Sequence, residues 1–283
     1  MSGIELRGVS KRFKDVTALD NVTLNFEENK IYGLLGRNGA GKSTMLNIIS
    51  NRLFPDEGEV LLDGQPVREN DMAQGQIFLI SEKTLYPEKM KIKEAFKWTQ
   101  EFYPDFDVEK ARSLAEEFGL SDKKKVDSLS TGYETIFKVI LALCVNVPYV
   151  FFDEPVLGLD ANHRELFYKH LLTKYGEDPF TAVISTHLIE EVSNVIEEIV
   201  IIKRGKIIYN ESRDELLGKG YTVSGNAGRV DSYIKGRDVI GTDSLGGLKT
   251  AYLLGRPDRG SMPEGLELTG MDLQKLFIQL TNE

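Results

Sequence analysis

Eight residues constrain this chain more than any others: Gly36, Arg37, Asn38, Gly39, Ala40, Gly41, Lys42 and Ser43, with Thr44 following. They fit the spacing G-x-x-x-x-G-K-[ST]. The apolar run Ile31–Leu35 precedes them, and Ser43–Ile49 reads as the start of a helix. A strand, a glycine-rich turn and a helix therefore follow one another. Glycines let backbone N–H groups close around phosphate as an anion nest at a helix N-terminus. Lys42 adds a point charge for β- and γ-phosphates, and Ser43 offers a hydroxyl to Mg2+. A glycine-rich turn that merely opens a helix is the competing reading, and the flanking strand and helix weigh against it. The pattern implies a nucleoside triphosphate and nothing narrower.

Further apolar runs at Tyr149–Phe152, Thr181–Ser185 and Ile199–Ile202 read as buried strands. Continuous runs of this kind suit a parallel sheet covered on both faces, so the fold class is α/β. Lys203–Lys206 reads as a tight turn into an antiparallel hairpin strand, Ile207–Tyr209. From Tyr86 to Asp127 the strand-like runs vanish. Leu114, Ala115, Phe118 and Leu120 there suit an amphipathic helix, and the stretch reads as a helical insertion. After about residue 217 the pattern becomes strand, helix, strand, strand, with Gly246-Gly247 as a turn. A last helix follows, with Thr269 as its expected N-cap and Leu268 and Leu273 as a staple. Leu273, Leu276, Phe277 and Leu280 form its apolar stripe.

The run Tyr149–Phe152 ends in two carboxylates, Asp153 and Glu154. On a parallel sheet that end opens on the same crevice as the phosphate loop. Asp153 suits Mg2+ and Glu154 suits a general base for water. Acids that merely begin a helix are an equal alternative for these two residues alone. His187 ends the Thr181–Ser185 run at the same edge and is a candidate for the γ-phosphate and the attacking water. His163 and His170 fall in a helical stretch and are expected on the surface.

The composition narrows the partners. The 283 residues allow one or two domains. The net charge, 35 − 44 = −9, argues against a chain that grips nucleic acid through its phosphates. The single cysteine, Cys144, fits a reducing compartment. The first residues show no apolar segment of a signal peptide. The best candidate for a membrane span, Val139–Phe152, is too short and runs into Asp153 and Glu154.

Taken together the motifs resemble the ATP-binding cassette (ABC) ATPases over roughly residues 1–215. The phosphate loop, Leu129-Ser130-Thr131-Gly132-Tyr133, Phe152–Pro155, Gly158-Leu159-Asp160 and Ser185-Thr186-His187 occur in that family's order and spacing. The resemblance implies a P-loop NTPase with a RecA-like parallel core sheet, an antiparallel β subdomain and a helical subdomain at about 84–146. It implies an ATPase domain at 1–217 and a small C-terminal α+β domain at 218–283. It also implies two cassettes, identical or different, closing head to tail around ATP and Mg2+. Each site would then receive Leu129–Tyr133 from the opposite cassette. Phe13 would stack on the base, and Asp160 would couple the two sites. Catalysis would fall to Glu154, His187 and Lys42. Ser43, Asp153 and Glu82 would face the metal.

Two departures stand out. The family's LSGGQ is Leu-Ser-Thr-Gly-Tyr here. Glu82, in Leu79-Ile80-Ser81-Glu82, replaces the usual glutamine. Asn29 sits where glycine is common before the phosphate-loop strand, and asparagine tolerates a left-handed turn.

A lone cassette implies a separate integral-membrane subunit and a place on the cytoplasmic face of the cell membrane. The alternative is a soluble ABC protein acting on ribosomes or DNA. One cassette, no heptad tract and the acidic charge favour transport. A regulatory cassette without hydrolysis is disfavoured by intact Lys42, Glu154 and His187. Phe102–Asp107 and Leu129–Lys138 resemble a Gram-positive subgroup of ABC-2-type exporters, with peptides, antibiotics or toxins as cargo. Tyr86, Met90, Phe96, Phe102 and Tyr103 either line a groove for the membrane subunit or form the insertion's own core. Trp98 has no assignment from sequence.

Overall fold

The computed structural model describes residues 2–81, 86, 87, 89–257, 260 and 263–282. They form two compact units, Met1–His187 with Val200–Asn210, and Leu188–Ile199 with Glu211–Glu283. In chain order the first elements are β1 (Gly3–Phe13), β2 (Val16–Glu27), β3 (Ile31–Leu35), α1 (Lys42–Ile49), β4 (Glu57–Leu62), β5 (Gln65–Pro66), α2 (Asp71–Gln74) and β6 (Ile77–Ile80). Next come α3 (Ile92–Phe102), α4 (Val108–Glu117), α5 (Thr131–Cys144), β7 (Tyr149–Asp153), α6 (Ala161–Glu177) and β8 (Thr181–Thr186). The remainder are α7 (Ile189–Val192), β9 (Glu198–Lys203), β10 (Lys206–Ser212), α8 (Arg213–Lys219), β11 (Gly220–Asn226), α9 (Ala227–Tyr233), β12 (Asp238–Leu245), β13 (Leu248–Leu254), β14 (Leu266–Gly270) and α10 (Leu273–Thr281).

The central sheet has the order β10-β9-β3-β8-β7-β6. Every residue of β3 and β8 is buried, which accounts for their unbroken apolar runs. The pairs β3/β8, β8/β7 and β7/β6 are parallel. Leu35 lies opposite Thr186, and Asp153 lies opposite Ser185. Three strand ends therefore finish level at one edge, and each carries a different motif. Arg204 and Gly205, at φ 49° and 78°, make the two-residue turn from β9 to β10. That turn type folds neighbouring strands back on each other, as the sequence indicates.

A second sheet, β2-β1-β4-β5, is antiparallel. Ile4, Leu6, Leu24 and Phe26 from it join Met45, Leu46 and Ile49 of α1 in one core cluster. Asn29 has φ 57°, the left-handed conformation expected of it. The helical part, α3 to α5, is centred on the buried rings of Phe96, Phe106, Phe118 and Phe137. Burying each ring stabilises by about 1.5–3 kcal/mol. Gly119, at φ 67°, turns the chain after α4. The apolar stretch Val139–Phe152 divides between the end of α5 and β7. Among the described residues no helix is long and apolar enough to cross a membrane.

The second unit holds the sheet β12-β13-β11-β14. Val230 and Tyr233 of α9 pack with Val223, Ala251 and Leu253 of the sheet. Leu245 pairs with Leu248 across Gly246-Gly247, the expected hairpin. Thr269 is not the N-cap of α10. It lies in β14 opposite Thr222, and Asp272 caps the helix by accepting from the Lys275 N–H at 2.7 Å. An edge strand that completes the sheet pairs the backbone of Leu266–Gly270, and this prevails over the capping pattern. His163 and His170 are half-buried instead of on the surface. Both rings lie by Phe118, and His170 Nε2 is 2.9 Å from Glu117.

Candidate nucleotide site

The phosphate loop joins β3 to α1. Gly41, at φ 114°, is the helix N-cap and makes no side-chain capping bond, so the first N–H groups of α1 face the loop. A β-carbon at Gly41 would stand 2.4 Å from the Ala18 carbonyl oxygen. At Gly36 it would stand 2.8 Å from the Ile202 side chain and carbonyl oxygen. The Gly205 N–H donates to the Ala40 carbonyl at 2.9 Å, and the Gly205 carbonyl accepts from Asp20 N–H at 2.9 Å. The loop is thus walled by backbone from β2 and from the β9–β10 turn. Arg37, Asn38 and Gly39 at its tip are exposed, Ser43 is exposed and Thr44 half-buried. Lys42 is only 6% exposed. Its Nζ donates to the Gly36 carbonyl at 2.7 Å and lies 3.9 Å from Glu154 Oε1. Burial pushes its pKa down, opposed by the charges of Glu154 and Asp153.

The acid pair follows β7. Asp153 Oδ1 accepts from the Ser185 hydroxyl at 3.0 Å. Burial raises its pKa from the ordinary aspartate value, against hydrogen bonds from Ser43 and Ser185 that lower it. A carboxylate so placed is short of positive charge, and a hard cation beside Ser43 and Asp153 would supply it. No cluster of three or more His, Cys, Asp or Glu able to hold a metal occurs among the described residues. A cation here would take its remaining oxygens from phosphate and water, which is how Mg2+ is commonly held.

Glu154 has φ 50°, a conformation rare outside glycine. Its N–H donates to the Ser185 carbonyl at 2.8 Å. His187 Nδ1 is 3.0 Å from both carboxylate oxygens. A proton on Nδ1 satisfies that contact and leaves Nε2 as an acceptor in the neutral ring. The Thr186 hydroxyl donates to Oε2 at 3.2 Å. The sequence places Ser185 and Thr186 in the motif that ends in His187 but assigns neither a role of its own. Their signal was two hydroxyl residues directly before His187 at a buried strand end.

Ser130 is the exposed N-cap of α5 and makes no side-chain capping bond, with Thr131 beginning the helix. Leu129 is half-buried beside it. Gly132 packs on the Gly158 carbonyl, and Thr135 donates to the Leu157 carbonyl at 3.0 Å. Tyr133 turns to its own helical part, where Lys124 Nζ lies 4.8 Å from its ring. Ser43, Ser81, Thr131, Glu134, Asp153 and Glu154 line one cavity of about 360 Å³. Asp160 caps α6, accepting from His163 N–H at 2.9 Å, and this bond holds its pKa low. Phe13 is 46% exposed at the end of β1, with Lys11 Nζ 5.7 Å from its ring. Glu82 lies outside the described residues.

The aromatic residues of the insertion divide between two roles. Phe96 is wholly buried core, whereas Phe102 is 66% exposed. Phe102, Tyr86 and Tyr103 line a second cavity of about 250 Å³, together with Trp98, Phe78 and Arg52.

Comparison with known proteins agrees with this geometry. The sequence profile described as "ABC transporter" matches residues 19–157. The chain is 29% identical to the ABC transporter ATP-binding protein YtrB of Bacillus subtilis, over 75% of this chain and 73% of YtrB. It is 31% identical to the ABC transporter ATP-binding protein NatA of the same organism, over 75% of this chain and 91% of NatA. A dimeric bacterial ABC transporter cassette superposes with TM-score 0.66 at 26% identity, covering 74% of this chain and 98% of that one. A post-hydrolysis cassette dimer bound to ADP and phosphate superposes with TM-score 0.65 at 26% identity, covering 74% and 98%. Its parallel core sheet, its phosphate loop and these relatives together place the chain in the ABC transporter family, as an ATP-hydrolysing, ATP-binding subunit.

Proposed function

We propose that this chain dimerises around ATP and drives a transporter whose membrane-spanning subunit is a separate protein. The observation that carries the reading is the level edge of β3, β7 and β8. It brings Lys42, Asp153, Glu154 and His187 together, with the start of α5 beside them. Lys42 and the first N–H groups of α1 hold the β- and γ-phosphates. Ser43 and Asp153 would hold Mg2+, which supplies charge neutralisation for the phosphates when bound. Glu154 orients the attacking water and takes its proton, and His187 holds the Glu154 carboxylate. Phe13 offers a face to the base. In the dimer Ser130 and Gly132 meet the partner's nucleotide at the α5 N-terminus, and Asp160 lies in the coupling loop. Closure does work because ATP binds one arrangement of the pair more tightly than the other.

In this reading residues 1–217 are the motor and 218–283 an accessory domain. The subunit works at the cytoplasmic face of the cell membrane. We assign it to export of a peptide, antibiotic or toxin, on the strength of Phe102–Asp107 and Leu129–Lys138. Relatives with import in their names are also matched, such as the ribose import ATP-binding protein RbsA 1 of Rubrobacter xylanophilus, which is 30% identical. The aromatic cavity at Tyr86, Trp98 and Phe102 suits a helix of the membrane subunit. A gentle pull-down from membranes tests the proposal. Co-purification of one integral protein, and loss of its transport on deletion of this chain, are expected. Recovery with ribosomes or DNA instead would overturn it.

A further inference from the structure

Three consecutive residues at the end of β8 hold Glu154. Ser185 takes its backbone N–H, and His187 and Thr186 take its carboxylate. The two side-chain contacts differ in kind. His187 Nδ1 is 3.0 Å from Oε1 and 3.0 Å from Oε2, so it does not distinguish the two oxygens. The Thr186 hydroxyl donates to Oε2, at 3.2 Å. The last torsion of a glutamate is broad and nearly two-fold, so no rotamer well fixes how the carboxylate is turned. Its partners must fix it. Thr186 is wholly buried in a strand paired to β7, so its hydroxyl is rigidly placed. The other carboxylate oxygen, Oε1, lies 3.9 Å from Lys42 Nζ.

We propose that Thr186 is a positioning residue for ATP hydrolysis: its hydroxyl ties Oε2 of Glu154 and so presents Oε1 to the phosphate loop and the attacking water. The inference rests on the reading of Glu154 as general base. A misplaced base lowers turnover without weakening ground-state binding, because nucleotide affinity comes from the phosphate loop.

The test compares Thr186→Val, which keeps the shape and removes the hydroxyl, with Thr186→Ser, which keeps the hydroxyl and removes the methyl. Glu154→Gln is measured alongside. Steady-state ATPase gives kcat and KM, and fluorescent-nucleotide titration gives the Kd for ATP. Thr186→Val is expected to lower kcat about tenfold or more, with the Kd within about twofold of the parent. Thr186→Ser should recover most of kcat. Unchanged kcat in Thr186→Val with a stalled Glu154→Gln would overturn the Thr186 proposal and leave the base intact. Thr186→Ser as slow as Thr186→Val would also overturn it, since packing would then be the cause. Full turnover by Glu154→Gln would remove the base reading itself. A Thr186→Val that loses ATP binding would overturn the positioning role in favour of a structural one.

Discussion

The carbonyl oxygen of Gly158 stands 2.9 Å from the place a β-carbon on Gly132 would occupy. Gly158 itself has φ 80°. The start of α5 and the loop after the acid pair thus touch backbone to backbone within one chain. Neither side can swing away as a side chain would. Gly132→Ala is expected to cost about 1–3 kcal/mol, the usual penalty of forcing extra carbon into a packed contact. Thermal unfolding should show the loss, and ATPase should fall more than stability alone requires, because the helix end proposed to meet the partner's nucleotide is displaced.

Glu154→Gln should bind ATP and stall. Size-exclusion chromatography with ATP is expected to show an accumulating dimer, and phosphate release should fall by a hundredfold or more, on the order of removing a general base. Lys42→Ala should act earlier. It removes the buried ammonium from the loop, so nucleotide titration should show weakened ATP binding and no dimer.

Phe13 protrudes from the β1–β2 hairpin and stacks on nothing aromatic in its own chain among the described residues. Stacking of a base on an aromatic ring contributes about 1–3 kcal/mol. Phe13→Ala is therefore expected to raise KM for ATP about tenfold with kcat largely kept. Phe13→Tyr should restore KM.

Lys174 gives a pH-dependent outcome remote from the nucleotide. Its ammonium is buried beneath the end of α5, bonded to the Val145 carbonyl and 4.9 Å from the Phe180 ring. Burial pushes its pKa down to about 8. Between pH 8 and the ordinary lysine value near 10.5, the unfolded chain holds more protons on this residue than the folded one. Its contribution to stability then rises with pH, and below pH 8 it is a constant penalty. From pH 7.5 to 9.5 the parent should gain about 2 kcal/mol relative to Lys174→Met in urea denaturation. A flat difference would refute the assignment.

The parts legible in the sequence were those written locally. The phosphate loop, the acid pair and His187 are short motifs bound to a strand end, and the parallel sheet needed only unbroken apolar runs. The first two strands were hidden by irregularity. The β1/β2 ladder has three register shifts, and Gly8 interrupts it at φ 58°, so period two is lost. Strand β14 was missed because Leu266–Gly270 is a short sheet edge whose pairing depends on β11, far back in the chain. Thr186 stood in a named motif without a role, for the same kind of reason. Its contact with Glu154 spans 32 residues and exists only because two strand ends finish level. Asp160 shows a third limit: its bond to His163 belongs to one chain, while the coupling role proposed for it requires two.

The wall around the phosphate loop has a consequence for how this protein tolerates change. Ala18, Asp20, Ala40 and Gly205 meet there through carbonyls and N–H groups, and the Asp20 carboxylate adds one exposed ion pair, to Lys206 Nζ at 3.0 Å, so the wall itself depends on backbone more than on side chains. Chain length is not free. One residue inserted or deleted in β2 near Ala18, or in the Arg204-Gly205 turn, would shift the whole contour and open the loop, though no motif residue had been altered. The segment best preserved in length need not be the one best preserved in letters.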